Sequence, residues 1–300
     1  MSKKLVSGVY AAAITPRDSD GKLDERALRK ELDFLIGRGI RGFAINGATG
    51  EYCLTTADEL SAAVAAAAEV TEGRAEFVCG IGSAGVRGCI ENGIIAIKGG
   101  AKGLLLPTPH FFPYEQDDVE AFCHEVADQL PAPILLYNLP QFTTGFQPDT
   151  VVKLISENPT IVGIKDSSGS LDILRTLTGQ GIESCRVVGN DGVLAAALTE
   201  NVCDAGISGV AAVLPELLLT IFDLRSNPLS EEFLSAARTL DEFIQAVAGI
   251  PVPWALKWIG ESREIAAATF AQPVADRRKA QARALQEWFR AWHKMAPAVV

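Results

Sequence analysis

Two stretches decide how this chain is read: "ILLYNLPQF" at 134–142 and "TIVGIKDSS" at 160–168. Each is a short apolar run ending on a chemically able residue, Tyr137 in the first and Lys165 in the second. Short apolar runs bounded by turn formers are the pattern of strands buried on both faces. Lysine rarely belongs in such a strand. Working outward, similar runs lie at 9–14, 42–45, 76–81, 103–106, 186–189 and 204–208, and with 134–137 and 161–165 they make eight. Stretches of helical period separate them. Leu28, Leu32, Leu35 and Ile36 mark one face of the first, and Thr56 with Glu59 opens the second as a capping box. The eighth run is followed by "LPELLLTIFDL", again helical. Eight strand–helix units in about 225 residues predict an α/β fold, a (β/α)8 TIM barrel. Residues 1–228 are assigned to the barrel that carries the active site. Residues 229–300 read as helices packed on it, and no low-complexity linker makes them an independent domain.

Composition narrows the function. The net charge is −10 and no Lys/Arg cluster could track a phosphate backbone, which argues against nucleic acid. No run reaches the roughly 18 apolar residues of a membrane span. The opening "MSKKLVSGVYAAAITP" is too short in its apolar part to read as a signal peptide. The six cysteines, at 53, 79, 89, 123, 185 and 203, include no CxxC pair, and the three histidines lack ligand spacing. Neither a disulfide framework, nor a metal, nor a cofactor is expected, and reduced thiols suit a cytoplasmic protein. "GIGSAG" at 80–85 fits GxGxxG. A dinucleotide fold also wants an acid about 20 residues on, and "GLLLPTP" there has none.

Strand alternation gives the pair a place. It puts Gly163 and Lys165 on one face, with Val162 and Ile164 on the other, toward the helices; Gly163 then leaves room below the lysine. Leu135 and Tyr137 share a face by the same count. Lys165 and Tyr137 thus end the adjacent fifth and sixth strands at the carboxyl-terminal mouth, where barrel enzymes hold their catalytic groups. A lysine at a strand end can equally be a plain surface charge. Within an apolar mouth, however, an amine loses hydration, which disfavours its charged form. A neutral amine attacks a ketone to form a Schiff base, and a phenol beside it can carry the protons. The loop "NGATGEY", 46–52, adds a turn freed by Gly47 and Gly50 ahead of a helix. Exposed amides there, with the Thr49 hydroxyl, suit a carboxylate.

At these residues the sequence resembles the dihydrodipicolinate synthase / N-acetylneuraminate lyase family of class I pyruvate aldolases. "GATGEY" with Glu59 beyond it is similar to one family signature, and "YNLPQFTTGF" followed by "GIKDSS" to another. "GISGVAAVLPEL" matches the segment after the last strand, and the likeness extends to "GVYAAAITP". The resemblance implies a homotetramer, a dimer of dimers. It also implies Lys165 as the imine-forming residue, Tyr137 as the proton shuttle, and Ala48–Thr49 as the seat of pyruvate's carboxylate. Gly189, Asp191, Ile207 and Ser208 would border the pocket for the second substrate.

This chain departs from the family pattern in several places. Ala48 stands where the family usually has Ser or Thr. Dihydrodipicolinate synthases place a tyrosine that reaches a neighbouring subunit's site where Phe111 lies, and an arginine that binds the aldehyde substrate's carboxylate where Phe142 stands. Gly192 stands where neuraminate lyases carry an acidic sugar contact. The expectation is a Schiff-base lyase acting on pyruvate and a small aldehyde, or on a 2-keto acid such as a 2-keto-3-deoxy sugar acid or 4-hydroxy-2-oxoglutarate. The alternatives are 4-hydroxy-tetrahydrodipicolinate synthase, a 2-keto acid dehydratase or hydratase using the same imine, and a non-catalytic keto-acid-binding relative.

Overall fold

The computed structural model describes residues 4–295, so the first three and last five residues of the two spans assigned above lie outside the described residues. Eight parallel strands close into a barrel in chain order: β1 Gly8–Ala12, β2 Gly42–Ile45, β3 Glu76–Gly80, β4 Leu104–Pro107, β5 Ile134–Asn138, β6 Ile161–Asp166, β7 Cys185–Val188 and β8 Ala205–Ser208. Closure is made by β8 pairing with β1. Eight helices alternate with them: α1 Glu25–Gly37, α2 Ala57–Thr71, α3 Val86–Lys98, α4 Gln116–Gln129, α5 Pro148–Glu157, α6 Asp172–Gly179, α7 Leu194–Thr199 and α8 Pro215–Asp223. Three more follow: α9 Glu231–Val247, α10 Val252–Ser262 and α11 Asp276–Met295.

Local chemistry explains the boundaries. Asp24 caps α1 by accepting from the Ala27 amide, and Thr56 and Glu59 form the expected capping box on α2. Proline at the first turn starts α5 and α8, where its missing N–H costs nothing. The strand interiors divide the core in two. Tyr10, Ala44, Val78, Leu105, Leu135, Val187 and Ile207 fill the barrel, and a larger layer lies between strands and helices. Phe243 of α9, Ile259 of α10 and Phe289 of α11 belong to that outer layer, so the C-terminal helices share the barrel's core. No described helix is long and apolar enough to cross a membrane.

One expectation about β6 is corrected. Its register against β5 slips: Ile134 pairs with Ile161, but Leu135 pairs with Gly163. The extra residue is a β-bulge, and it breaks the alternation. Ile161 and Ile164 pack outward, whereas Val162 packs into the barrel interior instead of toward the helices. Gly163 does not serve to leave room below the lysine. A Cβ there would lie 2.0 Å from the Cys185 carbonyl oxygen, so glycine is required by the close approach of β7.

Candidate active site

The bulge sets where Lys165 points. Unbroken alternation would give residue 165 the same outward face as Ile161, four positions earlier. One extra residue reverses the parity and turns the lysine inward. Beyond the bulge Tyr137 pairs with Lys165 and Asn138 with Asp166. Lys165 Nζ donates to the Tyr137 hydroxyl at 2.9 Å and lies 4.1 Å from the centroid of the same ring. Both residues are buried, the lysine 2% exposed. Among the described residues no carboxylate lies within ion-pair distance of Nζ.

The next residue in each strand supports the pair. Asn138 Nδ2 donates to Asp166 Oδ1 at 3.0 Å, and Asn138 Oδ1 accepts from the Phe146 amide at 3.1 Å. Asp166 Oδ1 also accepts from the Ser168 amide at 2.9 Å. Burial pushes the Asp166 carboxyl above its usual range, against the pull of the Ser168 and Asn138 hydrogen bonds. These two residues were missed by sequence reasoning. Their signal was the matching "YN" and "KD" steps, one place beyond each singled-out residue.

The turn after β2 forms as expected. The Glu51 amide donates to the Ala48 carbonyl at 3.0 Å and the Tyr52 amide to that of Gly47 at 3.2 Å. Among the described residues the amides of Ala48 and Thr49 have no acceptor within the protein. They remain available to a ligand carboxylate. Thr49 Oγ1 faces the end of β8: a Cβ built on Gly209 would be 3.2 Å from it. In "GIGSAG" two of the glycines serve packing: a Cβ at Gly80 would fall 2.0 Å from the Asn46 carbonyl oxygen and one at Gly82 2.5 Å from the Tyr52 ring, whereas one at Gly85 would meet nothing.

The residues expected along the second-substrate border divide. Gly189 lies against the lysine itself, where a Cβ would be 2.7 Å from Lys165 Cε and 2.1 Å from Ser167 Oγ. Ile207 is wholly buried in the interior cluster that also holds Tyr137. Asp191 Oδ2 accepts from the Val210 amide at 3.4 Å, and Ser208 Oγ from that of Ala211 at 3.0 Å. Burial raises the Asp191 carboxyl, opposed by the Ser208 hydroxyl, the Val210 amide and the positive field of Lys165. Gly192 donates its amide to Asn190 Oδ1 at 3.0 Å.

Phe111 and Phe142 stand at the rim, 84% and 71% exposed. The Phe111 ring meets Phe112 edge-on at 4.9 Å, and the Tyr52 ring meets His110 at 6.1 Å. Among the described residues no ring pair joins Phe111 and Phe142. The β4–α4 and β5–α5 loops are instead joined by a His110–Thr143 bridge and by Thr108 Oγ1, which donates to the Thr144 carbonyl at 2.7 Å.

The Dihydrodipicolinate synthetase family profile matches residues 5–291 of this fold. The chain belongs to that family. It is 30% identical over 272 residues to the 4-hydroxy-tetrahydrodipicolinate synthase of Polynucleobacter asymbioticus, covering 87% of each protein. It is 40% identical to 4-hydroxy-tetrahydrodipicolinate synthase 1 of Streptomyces coelicolor over 161 residues, 53% of this chain and only 52% of that relative. Its fold matches a prophage protein of the dihydrodipicolinic acid synthase family from E. coli K12, solved in complex with pyruvate. The TM-score is 0.88 at 22% identity, over 96% of this chain and 99% of the other. It also matches N-acetylneuraminate lyase from Mycoplasma synoviae, with a TM-score of 0.82 at 20% identity, over 94% and 98%.

Proposed function

We propose that this family member is a lysine Schiff-base lyase that makes or breaks a bond to the methyl carbon of pyruvate. The observation that carries the reading is the buried amine of Lys165, 2.9 Å from the Tyr137 hydroxyl at the carboxyl end of the barrel strands. The Lys165 amine attacks C2 of the keto acid. Tyr137 relays the proton that lets the carbinolamine oxygen leave as water. The protonated imine then draws electrons from the adjacent bond. In the cleavage direction the bond between C3 and the hydroxyl-bearing carbon breaks, the hydroxyl proton leaves, and an aldehyde departs. The remaining enamine takes a proton at C3, and water releases pyruvate. Condensation runs the same steps in reverse.

The free amides of Ala48 and Thr49, with the Thr49 hydroxyl, are the seat we assign to the carboxylate. Asp191 and Ser208 are assigned to the second-substrate side. The proposed partner is a small uncharged aldehyde, released from a 2-keto acid such as a 2-keto-3-deoxy sugar acid. Phe142 on the β5–α5 loop supports it, because that loop offers no cation for a second carboxylate. A homotetramer is proposed from the exposed Phe111, Phe112 and Phe142 rim, an apolar surface that assembly would cover. Cytoplasmic residence is proposed from six unpaired cysteines.

The test is incubation with pyruvate and borohydride. One adduct per chain at Lys165, abolished by Lys165→Ala, is expected, and trapping at Lys153 or Lys257 would overturn the assignment. The names of the curated relatives favour a second reading, condensation with aspartate semialdehyde. Burying that substrate's carboxylate without a cation costs several kcal/mol. Coupled dihydrodipicolinate formation at saturating pyruvate is expected to be slight. A kcat/KM near about 10⁴ M⁻¹s⁻¹, ordinary for an enzyme on its own substrate, would favour the second reading over ours.

A further inference from the structure

A second buried lysine lies outside the catalytic pair. Lys257, on α10 in the C-terminal extension, is 4% exposed, and its Nζ donates to Glu51 Oε2 at 2.5 Å. Glu51 is the residue immediately after "GATG", and it is also buried. The contact spans 206 positions of sequence.

Three observations tie this ion pair to the turn rather than to general packing. Glu51 has φ 56, in the left-handed region that side chains other than glycine adopt at a cost. Its amide closes the turn on Ala48, and its carbonyl accepts from Leu54, so its backbone is the hinge between the turn and the approach to α2. The residue before Lys257, Leu256, meets the site from the same helix. A Cβ on Gly209 would be 3.2 Å from Leu256 Cδ1 and 3.2 Å from Thr49 Oγ1, so both converge on one point at the end of β8.

The surrounding charges make the pairing specific. Arg17 Nη1 pairs with Glu59 at 2.8 Å while its charge also bears on Lys257, and Glu31 accepts from the Ile14 amide at 2.9 Å. Within ion-pair distance, Lys257 and Glu51 are each other's only charged partners among the described residues. Removing one partner leaves the other buried without its ion pair; removing both does not.

We infer that Lys257 is a positioning residue of the active site: through Glu51 it holds the Ala48–Thr49 amides in the geometry that receives pyruvate's carboxylate, and so makes α10 part of the substrate site. The inference rests on the proposed role of that turn.

The experiment compares Lys257→Met, Glu51→Gln and the double variant with wild type. It measures melting temperature, the pyruvate concentration giving half-maximal borohydride trapping at Lys165, and amide exchange over residues 47–54. Lys257→Met should raise the half-saturating concentration about ten- to a hundredfold, the worth of one hydrogen bond to a charged group, and speed exchange in 47–54. The double variant should recover melting temperature, because no lone buried charge remains, while half-saturation stays raised and exchange stays fast. A purely structural pair predicts that all three recover together, and that result overturns the inference. Unchanged half-saturation and exchange in a folded Lys257→Met overturns it too. Should wild type trap no pyruvate at all, the Schiff-base reading fails. The exchange over 47–54 then still decides whether Lys257 holds the turn.

Discussion

Gly189→Ala adds one methyl group directly against Lys165. The new Cβ would stand 2.1 Å from Ser167 Oγ, 2.7 Å from Lys165 Cε and 3.1 Å from Lys165 Cγ, where ordinary contact begins at 3.4 Å. The serine hydroxyl can rotate away, since Ser167 Oγ has no hydrogen-bond partner to lose. The lysine cannot yield so easily. Restoring contact at Cε needs a shift of about 0.7 Å (3.4 − 2.7 Å), and Nζ moves with the carbon that carries it. The Nζ–Tyr137 bond at 2.9 Å has little slack for that. A misplacement near 1 Å can cost about a hundredfold in rate, whereas one extra methylene-sized group in a packed region costs roughly 1–3 kcal/mol of stability. Gly189→Ala should therefore remain folded, lose a few degrees of melting temperature, and form the pyruvate imine about a hundredfold more slowly. The assay is the time course of borohydride-trapped Lys165 at saturating pyruvate, measured well below the melting transition. A wild-type rate in a folded variant would show that the lysine finds the same position by another rotamer, and would refute the reasoning from the 2.7 Å approach.

Other perturbations test separate links. Tyr137→Phe keeps the ring and removes the proton carrier; turnover should fall about 10²–10⁴-fold, and unchanged turnover would remove the phenol from the mechanism. Thr49→Val deletes a hydroxyl and should weaken pyruvate half-saturation by about ten- to a hundredfold; a change confined to turnover would instead place Thr49 in proton transfer. Glu31 is fully buried in α1, and burial lifts its carboxyl from 4.5 to about 8, against the pull of the Ile14 amide and Lys257. Between those values the folded chain holds a proton the unfolded chain has released, so this residue's contribution is intact below about pH 4.5 and shrinks as pH rises toward 8, by up to about 1.4 kcal/mol per pH unit. Glu31→Gln cannot ionise, and its melting temperature should gain on wild type from about pH 5 to about pH 8; parallel curves for the two proteins would show that Glu31 is not held protonated.

What the sequence determined by itself was carried by short-range pattern. Apolar runs of strand length, alternating eight times with helical period, specify the barrel because each unit must bury its apolar face against the next. The turn formers at 46–52 and the capping box at Thr56 and Glu59 are equally local, and both formed as read. Tyr137 and Lys165 were legible because polar ends are conspicuous on apolar strands.

The tertiary structure decided what depends on residues far apart in the chain. Alternation within β6 placed Val162 toward the helices, yet pairing with β5 inserted a bulge that sent Val162 inward while Lys165 still faces the barrel. No pattern within "IVGIK" signals that slip, because register belongs to two strands at once. Gly189 was named only as a border of the second-substrate pocket; that it lies against Lys165 came from the pairing of β7 with β6. Lys257 in "PWALKWIG" gave only the hint of a charge in an apolar helix. Its partner Glu51 lies 206 positions away, and only closing the barrel and docking α10 brings the two charges out of water together.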